Sequence, residues 1–232
     1  MPASSFRVLF GGSILVLIPL LTAAAQDARS AASTEQQRIE QAFIGRLQSE
    51  QEQAKDRLIL GKTTALLNDP ASPVIGNAKG DVTVIEFFDY TCPYCKVIEP
   101  RLEKFLKDDK GAKLILKEYP ILTPESLIAT KAALAAVKQG KYAPFHNALM
   151  GFKGQLTQQA IFDTAKDVGL DVNRLRKDME APEITDQIIA NFNLARGLRI
   201  FETPSFVAGG HMLSSTSATI DFPKVAAAIR AK

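Results

Sequence analysis

The two cysteines of this 232-residue chain stand at Cys92 and Cys95, in the run Cys92-Pro93-Tyr94-Cys95, at the spacing of a reversible dithiol. The segment ahead of them, 82–88, is a β-branched and aromatic run of strand length, and the segment behind, 97–107, carries apolar residues at helical spacing. The pair is therefore expected where a strand hands over to a helix. There the first thiol meets unpaired backbone N–H groups and the positive end of the helix dipole, which favour thiolate over thiol. Such surroundings lower a cysteine pKa from about 8.5 into a range of roughly 3.5–7.5. Cys92 is the expected nucleophile. Cys95, one helical turn on and less exposed to a partner, is the expected resolving thiol.

Two other readings of the pair are weaker. A purely structural disulfide over so short a span closes little chain, and loop-closure entropy makes short staples poor stabilisers. Half of a zinc site lacks its other ligands, because there is no second CxxC and His146 and His211 are isolated. A zinc site shared between subunits would supply them. No metal centre or cofactor is expected.

Residues 1–25 read as a secretory signal: Arg7, an apolar run from Val8 to Leu21, then Ala23-Ala24-Ala25 before Gln26, with cleavage expected after Ala25. The run is shorter than the roughly 20 residues that span a bilayer. The mature protein is expected to be exported, to a bacterial periplasm if the source is Gram-negative, where a CxxC protein works among disulfides being made and repaired. Removing the signal takes away Arg7 and no acid, so the formal charge of +3 falls to +2. That balance, without a basic run, argues against a nucleic-acid partner. Gly-rich phosphate loops and internal repeats are absent from the sequence.

Residues 26–70 are read as an N-terminal helical extension, with 33–67 as one long amphipathic helix ended by Asn68-Asp69-Pro70. A heptad places Ile44, Gln51, Leu58 and Ala65 at one seam position and Leu47, Ala54 and Gly61 at the other. Gln51 and Gly61 interrupt it, so the helix either joins subunits into a homo-oligomer, packs on its own domain, or forms an arm. Residues 71–232 are expected to form the catalytic domain: a strand at 82–88, a CxxC helix at 93–109, a strand at 112–119, a helical insertion at about 124–197, two short strands near 205–208 and 211–213, and a closing helix. Strand, helix, strand, then two strands and a helix is an α/β plan.

Phe87 to Cys95, the helical insertion, and Thr203-Pro204-Ser205-Phe206 together resemble the DsbA-like thiol-disulfide oxidoreductases of the thioredoxin superfamily. Val74-Ile75-Gly76-Asn77, Glu118-Tyr119-Pro120-Ile121-Leu122 and the charged helix ahead of the domain are similar to the ScsC and Com1-like branch. The resemblance implies a thioredoxin fold with an inserted helical domain and a cis Thr203–Pro204 bond whose loop lies against the CxxC. It also implies that Thr203 and Pro204, with Pro93 and Tyr94, bind substrate. Glu202 stands where many relatives carry Gly. Glu86 breaks an apolar strand six residues before Cys92, where the family carries an acid beneath the dithiol. Buried, its raised pKa would let it shuttle the resolving thiol's proton. The alternative is an edge-facing or Lys-paired acid. His146 is read as an ordinary surface or cap residue.

The chemistry is thiol-disulfide exchange, in which redox poise decides between oxidase and isomerase or reductase. Thr before the proline and the N-terminal helix favour isomerase or reductase. The expected partners are cysteine-containing exported proteins and a membrane redox partner that resets the dithiol. The alternatives are a DsbA-type oxidase, a surface-attached or chaperone-like binding module, and a Cu(I)-handling protein, since two soft thiolates can hold Cu(I).

Overall fold

Val82–Phe88 forms β2, and in the computed structural model it lies at the centre of a five-stranded sheet. The structure describes residues 18–213 and 220–231, with side chains from residue 33 onward. The other strands are β1 (Val74–Gly76), β3 (Ala112–Glu118), β4 (Ser205–Ala208) and β5 (His211–Leu213), in the order β1-β3-β2-β4-β5. β2 and β3 run parallel, joined by α3 (Pro93–Asp108), and the other pairs are antiparallel. This is a thioredoxin fold with a helical insertion.

Strand alternation divides the core in two. Val82, Val84 and Phe88 of β2, Ala112, Leu114 and Leu116 of β3, and Phe206 of β4 share one cluster with Ile98 and Leu102 of α3. Ile85, Phe87, Ile115 and Val207 face the other way and pack with Ile59, Leu66, Leu194 and Leu198. Glu86 has the parity of Val84 and Phe88, so its carboxyl is aimed at the face that carries α3. Glu118 shares the parity of Leu116 and reaches the same side.

The insertion comprises α4 (Pro124–Ala136), a 3-10 turn at Val137–Gln139, α5 (Tyr142–Gly151), α6 (Gln158–Asp167), α7 (Val172–Asp178) and α8 (Pro182–Gly197). Three of its helix starts carry side-chain caps: Thr123 and Ser126 form a capping box on α4, while Thr157 and Asp171 cap α6 and α7. Five buried alanines on α4, at 129, 132, 133, 135 and 136, leave room for the helices packed around it. β4 and β5 are joined at Gly209 and Gly210, both at positive φ (58° and 84°), the backbone that a tight hairpin needs and side chains resist. The last helix, α9 (Phe222–Arg230), is held by Arg230, which bonds Asp81 ahead of β2 and Asp109 after α3.

The helix expected at 33–67 is instead α1 (Ile18–Leu60) followed by a short α2 (Thr63–Leu67), with the chain turning at Gly61-Lys62. Two compact units divide between Gln51 and Glu52. In the first, Ile39, Phe43, Ile44 and Leu47 are exposed. In the second, Ile59 and Leu66 are buried and Leu58 packs beside them, so residues 52–70 belong with the catalytic unit rather than with an extension ending at residue 70. Lys117 clips this segment to the sheet: its fully buried Nζ donates to Ala65 O (2.7 Å), Ser72 Oγ (2.7 Å) and Asp69 Oδ2 (3.0 Å). Of the expected signal at 1–25, residues 1–17 lie outside the described residues. Among the described residues no helix is long and apolar enough to cross a membrane. β1 was not among the expected strands. It has three residues, and Val74 is 44% exposed at the sheet edge, which leaves little apolar pattern to read.

Candidate dithiol active site

Cys92 is the N-cap of α3, extended at φ −71° and ψ 118°, and Pro93 occupies the first helical turn, where a missing N–H costs nothing. Cys95 follows within that turn. Both cysteines are free thiols and both are buried, Cys92 being 2% exposed and Cys95 0%. The expected contrast in exposure is therefore small. The contrast lies in ionisation. The Cys92 thiol is pulled down to about 6 by the Cys95 side chain as hydrogen-bond donor, by the hydroxyl of Thr203, and by the backbone N–H groups of Cys95 and Tyr94. Burial pushes the Cys95 thiol far up, and its hydrogen bond to Cys92 and the charge of Glu86 add to the shift.

Thr203–Pro204 is cis, and the Thr203 carbonyl lies 3.2 Å from Cys92 Sγ. That contact favours the thiol, whereas the Thr203 side chain beside the sulfur favours the thiolate. Ser205 Oγ donates to Glu202 O at 2.8 Å, bracing the loop on the far side of the proline. Glu202 and Phe201 are exposed, Phe201 at 71%. Pro93 and Tyr94 are also exposed, Tyr94 at 66% with Val97 a turn behind it, so they form a rim beside the buried sulfur. Cys92, Cys95, Thr203 and Pro204 thus converge, and Pro93 and Tyr94 face outward beside them.

Glu86 lies beneath. It is fully buried between Phe206 of β4 and Leu116 of β3, and neither carboxyl oxygen has a hydrogen-bond partner. Burial pushes its pKa well above the usual carboxylate range, and the charges of Glu99, Cys92 and Glu118 push the same way. The edge-facing and Lys-paired alternatives do not fit this position.

Several polar residues around the dithiol escaped the sequence reading. Asp89, three residues before Cys92, accepts from Thr91 N (2.7 Å) and Thr91 Oγ1 (2.9 Å) through one oxygen, and from Ile121 N (2.9 Å) and Leu122 N (3.1 Å) through the other. Glu118 accepts from Tyr142 (2.8 Å), Thr130 (2.9 Å) and Tyr90 (3.0 Å), yet burial still lifts its pKa to about 8. Lys96 Nζ donates to Leu149 O (2.7 Å) and Met150 O (3.2 Å) at the end of α5. His146 is not a surface residue: it is fully buried, stacked on Tyr142, with Nδ1 3.0 Å from Tyr90 Oη and Nε2 3.5 Å from Glu99 Oε1. Its place on the apolar face of α5, with Tyr142, Phe145 and Leu149, was the available signal.

Residues 83–224, more than half of the chain, match the family described as DSBA-like thioredoxin domain. A solved thioredoxin-like oxidoreductase of Silicibacter pomeroyi is 41% identical, with a TM-score of 0.68 over 73% of this chain and 98% of that one. The catalytic domain of Proteus mirabilis ScsC is 28% identical, with a TM-score of 0.67 over 76% and 99%. Among curated proteins, a Rickettsia prowazekii protein of the protein-disulfide oxidoreductase type is 28% identical over 68% of this chain and 61% of its own length. A Salinispora tropica protein named as the Na(+)/H(+) antiporter NhaA 3 is 26% identical over 66% of this chain, which spans only 25% of it. With a dithiol at the start of a helix after the central strand and a cis-proline loop against it, the chain belongs to the DsbA-like thioredoxin-domain family of thiol-disulfide oxidoreductases.

Proposed function

We propose that this protein is an exported enzyme that acts on protein disulfides as an isomerase or reductase. The observation that carries the reading is the split between the two thiols, Cys92 held down to about 6 and Cys95 pushed up beside it. At neutral pH Cys92 is a thiolate and attacks one sulfur of a client disulfide; a mixed disulfide forms and one client thiolate leaves. Cys95 then gives its proton to Glu86 and attacks Cys92 Sγ, and the second client thiolate leaves. In isomerisation a client thiol attacks the mixed disulfide instead, and Cys92 is regenerated. Thr203 and Pro204, with the rim of Pro93 and Tyr94, take the client chain. The clients are cysteine-containing exported proteins, the compartment is the periplasm by way of the 1–25 signal, and a membrane redox partner resets the dithiol.

The preference for isomerase rests on Thr203 before the proline and on the exposed Ile39, Phe43, Ile44 and Leu47 stripe, which suits self-association of several catalytic units around one client. The oxidase reading is favoured by one observation, the stabilised Cys92 thiolate, because stabilising the reduced form makes a disulfide more oxidising. Insulin reduction and refolding of a scrambled multi-disulfide protein, each run with wild type and Cys92→Ser, test the proposal. Activity in both that is lost in the variant supports isomerase. Dithiol oxidation without reshuffling favours oxidase, and Cys92-independent activity removes the dithiol from the mechanism.

A further inference from the structure

Helix α8 ends in a Schellman turn whose left-handed position is filled by an arginine. Ile200 N donates to Ala195 O (2.8 Å) and Arg199 N to Arg196 O (3.0 Å), and Ile200 shares an apolar cluster with Ala195. Arg199 has a φ of 58°, and it is the one non-glycine residue at positive φ among the described residues. Glycine is the usual occupant of that position, because a Cβ there crowds the backbone. An arginine that keeps so strained a place calls for a use of its side chain. Arg199 is exposed, and among the described residues its guanidinium makes no hydrogen bond and no ion pair. Among those residues, then, the fold makes no use of its charge.

Arg199 lines a cavity of about 360 Å³ that also takes in Glu202 and Ser205, the residues on either side of Thr203-Pro204. Buried Leu198 and Ile200 with half-buried Met212 give it apolar walls, and Phe201, 71% exposed, borders it. The other cation on its wall, Lys55, is paired with Glu52 at 3.4 Å, so Arg199 is the cation left open to an anion. We propose that this cavity is a client subsite in which Arg199 receives an Asp or Glu side chain of the client chain held across Thr203 and Pro204. The inference rests on the reading of Thr203 and Pro204 as the client loop. Arg199 stands four positions before Thr203. An extended client running beside this segment, at about 3.3 Å per residue, brings a carboxylate to the guanidinium about three to five residues from its own cysteine. Glu202 stands between Arg199 and Thr203 in the chain and lines the same cavity, so an acid beside the client's cysteine gains nothing there. The apolar walls take the stem of the acidic side chain. A guanidinium binds a carboxylate through two parallel N–H donors, which fixes the client's register as well as its charge. Arg199 is thus a specificity-determining residue: it selects which clients reach Cys92 and leaves the exchange itself unaltered.

The test uses full-length protein and synthetic peptides whose single cysteine is held in a mixed disulfide with a chromogenic arylthiol. The Cys92 thiolate attacks the peptide sulfur, the bond from that sulfur to the aryl sulfur breaks, and the arylthiolate leaves with the electron pair. Its colour reports the second-order rate constant of attack. An Asp or Glu is moved along the peptide on either side of the cysteine, with Asn or Gln in the matching controls. With wild type, the acid is expected to speed attack about fivefold over its amide control at one stretch of positions on one side, the upper end for an exposed ion pair. The advantage shrinks as salt is raised. Arg199→Gln should abolish it and Arg199→Lys should keep part of it, while the rates with amide peptides and the ultraviolet titration of Cys92 stay in place. Arg199→Gly should abolish it too and raise the denaturation midpoint, because glycine relieves the backbone, whereas loss of a residue serving the fold lowers the midpoint. A wild type without acid preference, a preference that survives in Arg199→Gln, or a lowered midpoint in Arg199→Gly would overturn the inference. Peptides methylated on the backbone nitrogens beside the cysteine test the client loop separately, since a chain held by main-chain hydrogen bonds loses them. If methylation slows attack while acids have no effect, the client loop stands and the subsite falls; if neither matters, both fall.

Discussion

Replacing Cys95 with Ala isolates what the second thiol does for the first. Cys92 moves from an ordinary 9.0 to about 6, and the largest cause is the hydrogen bond from Cys95. A hydrogen bond to a charged group contributes about 1.5 kcal/mol at the low end, which is about one pKa unit. Cys95→Ala should therefore raise Cys92 from about 6 to about 7, with Thr203 and the backbone N–H groups retaining the rest. The sign follows for stability. A depressed pKa stabilises the folded, reduced protein at pH above the unfolded value, and that contribution is lost as pH falls through about 6. At pH 7 the expressed part is about 1.4 kcal/mol, an upper bound because solvent near the sulfur screens it. The variant should lose about 1 kcal/mol of reduced-state stability between pH 5 and pH 7 relative to wild type. Ultraviolet absorbance of the thiolate reads the first number, and denaturant unfolding under reducing conditions reads the second. A Cys92 pKa that moves by less than about 0.3 unit would refute the reasoning and assign the depression to the helix terminus and Thr203.

The raised pKa of Glu118, about 8, makes folding favour its protonated form, so its contribution is complete below about 4.5 and is lost as pH rises through 8; Glu118→Gln should flatten the wild-type fall in unfolding free energy over that window. Lys117→Ala removes the donor shared by Ala65, Asp69 and Ser72 and should cost about 3 kcal/mol in denaturant unfolding without moving the Cys92 titration; a loss within error would mean the clip is dispensable. A chain beginning at Glu52 should keep insulin reduction and lose most reshuffling of scrambled disulfides, with light scattering reporting loss of self-association; an unchanged mass and undiminished reshuffling count against the exposed Ile39 to Leu47 stripe as a subunit contact.

Much of the α/β frame could be read from pattern, because its signals are local. The strand before the dithiol, the helix after it and the strand that follows each carry their own periodicity, and their ends agree with the structure to within about two residues. Cys92, Cys95 and Glu86 could be singled out because each is conspicuous in its own segment. The surrounding polar network could not, because its pairs lie far apart in the chain: Tyr90 to Glu118 spans 28 residues and Tyr90 to His146 spans 56. His146 lies among apolar neighbours on α5, a pattern that points to burial but gives no sign of the tyrosine that meets it. Glu118 ends an alternating apolar run, and an acid in that place is the same kind of signal that marked Glu86. Amphipathic spacing reads as one helix to residue 67 and does not say whether its apolar stripe meets a partner or its own sheet; the chain breaks at Gly61-Lys62, and Ile59 and Leu66 meet the sheet.

Asp89 bonds the segment leading into the dithiol with one carboxylate oxygen and, with the other, the backbone where β3 gives way to α4. Thr91 then reaches Ser126 in the first turn of α4 at 2.8 Å, closing a ring of bonds between the two segments. The chemistry and the insertion are therefore joined at one small coupling, made of four backbone or hydroxyl donors and a single acceptor. A graft that kept Asp89, Thr91, Thr123 and Ser126 would carry this coupling into another scaffold of the same sheet order, leaving the later helices open to exchange for a different client surface. The loop before the nucleophile and the entry to the insertion would vary independently only where that carboxylate is absent.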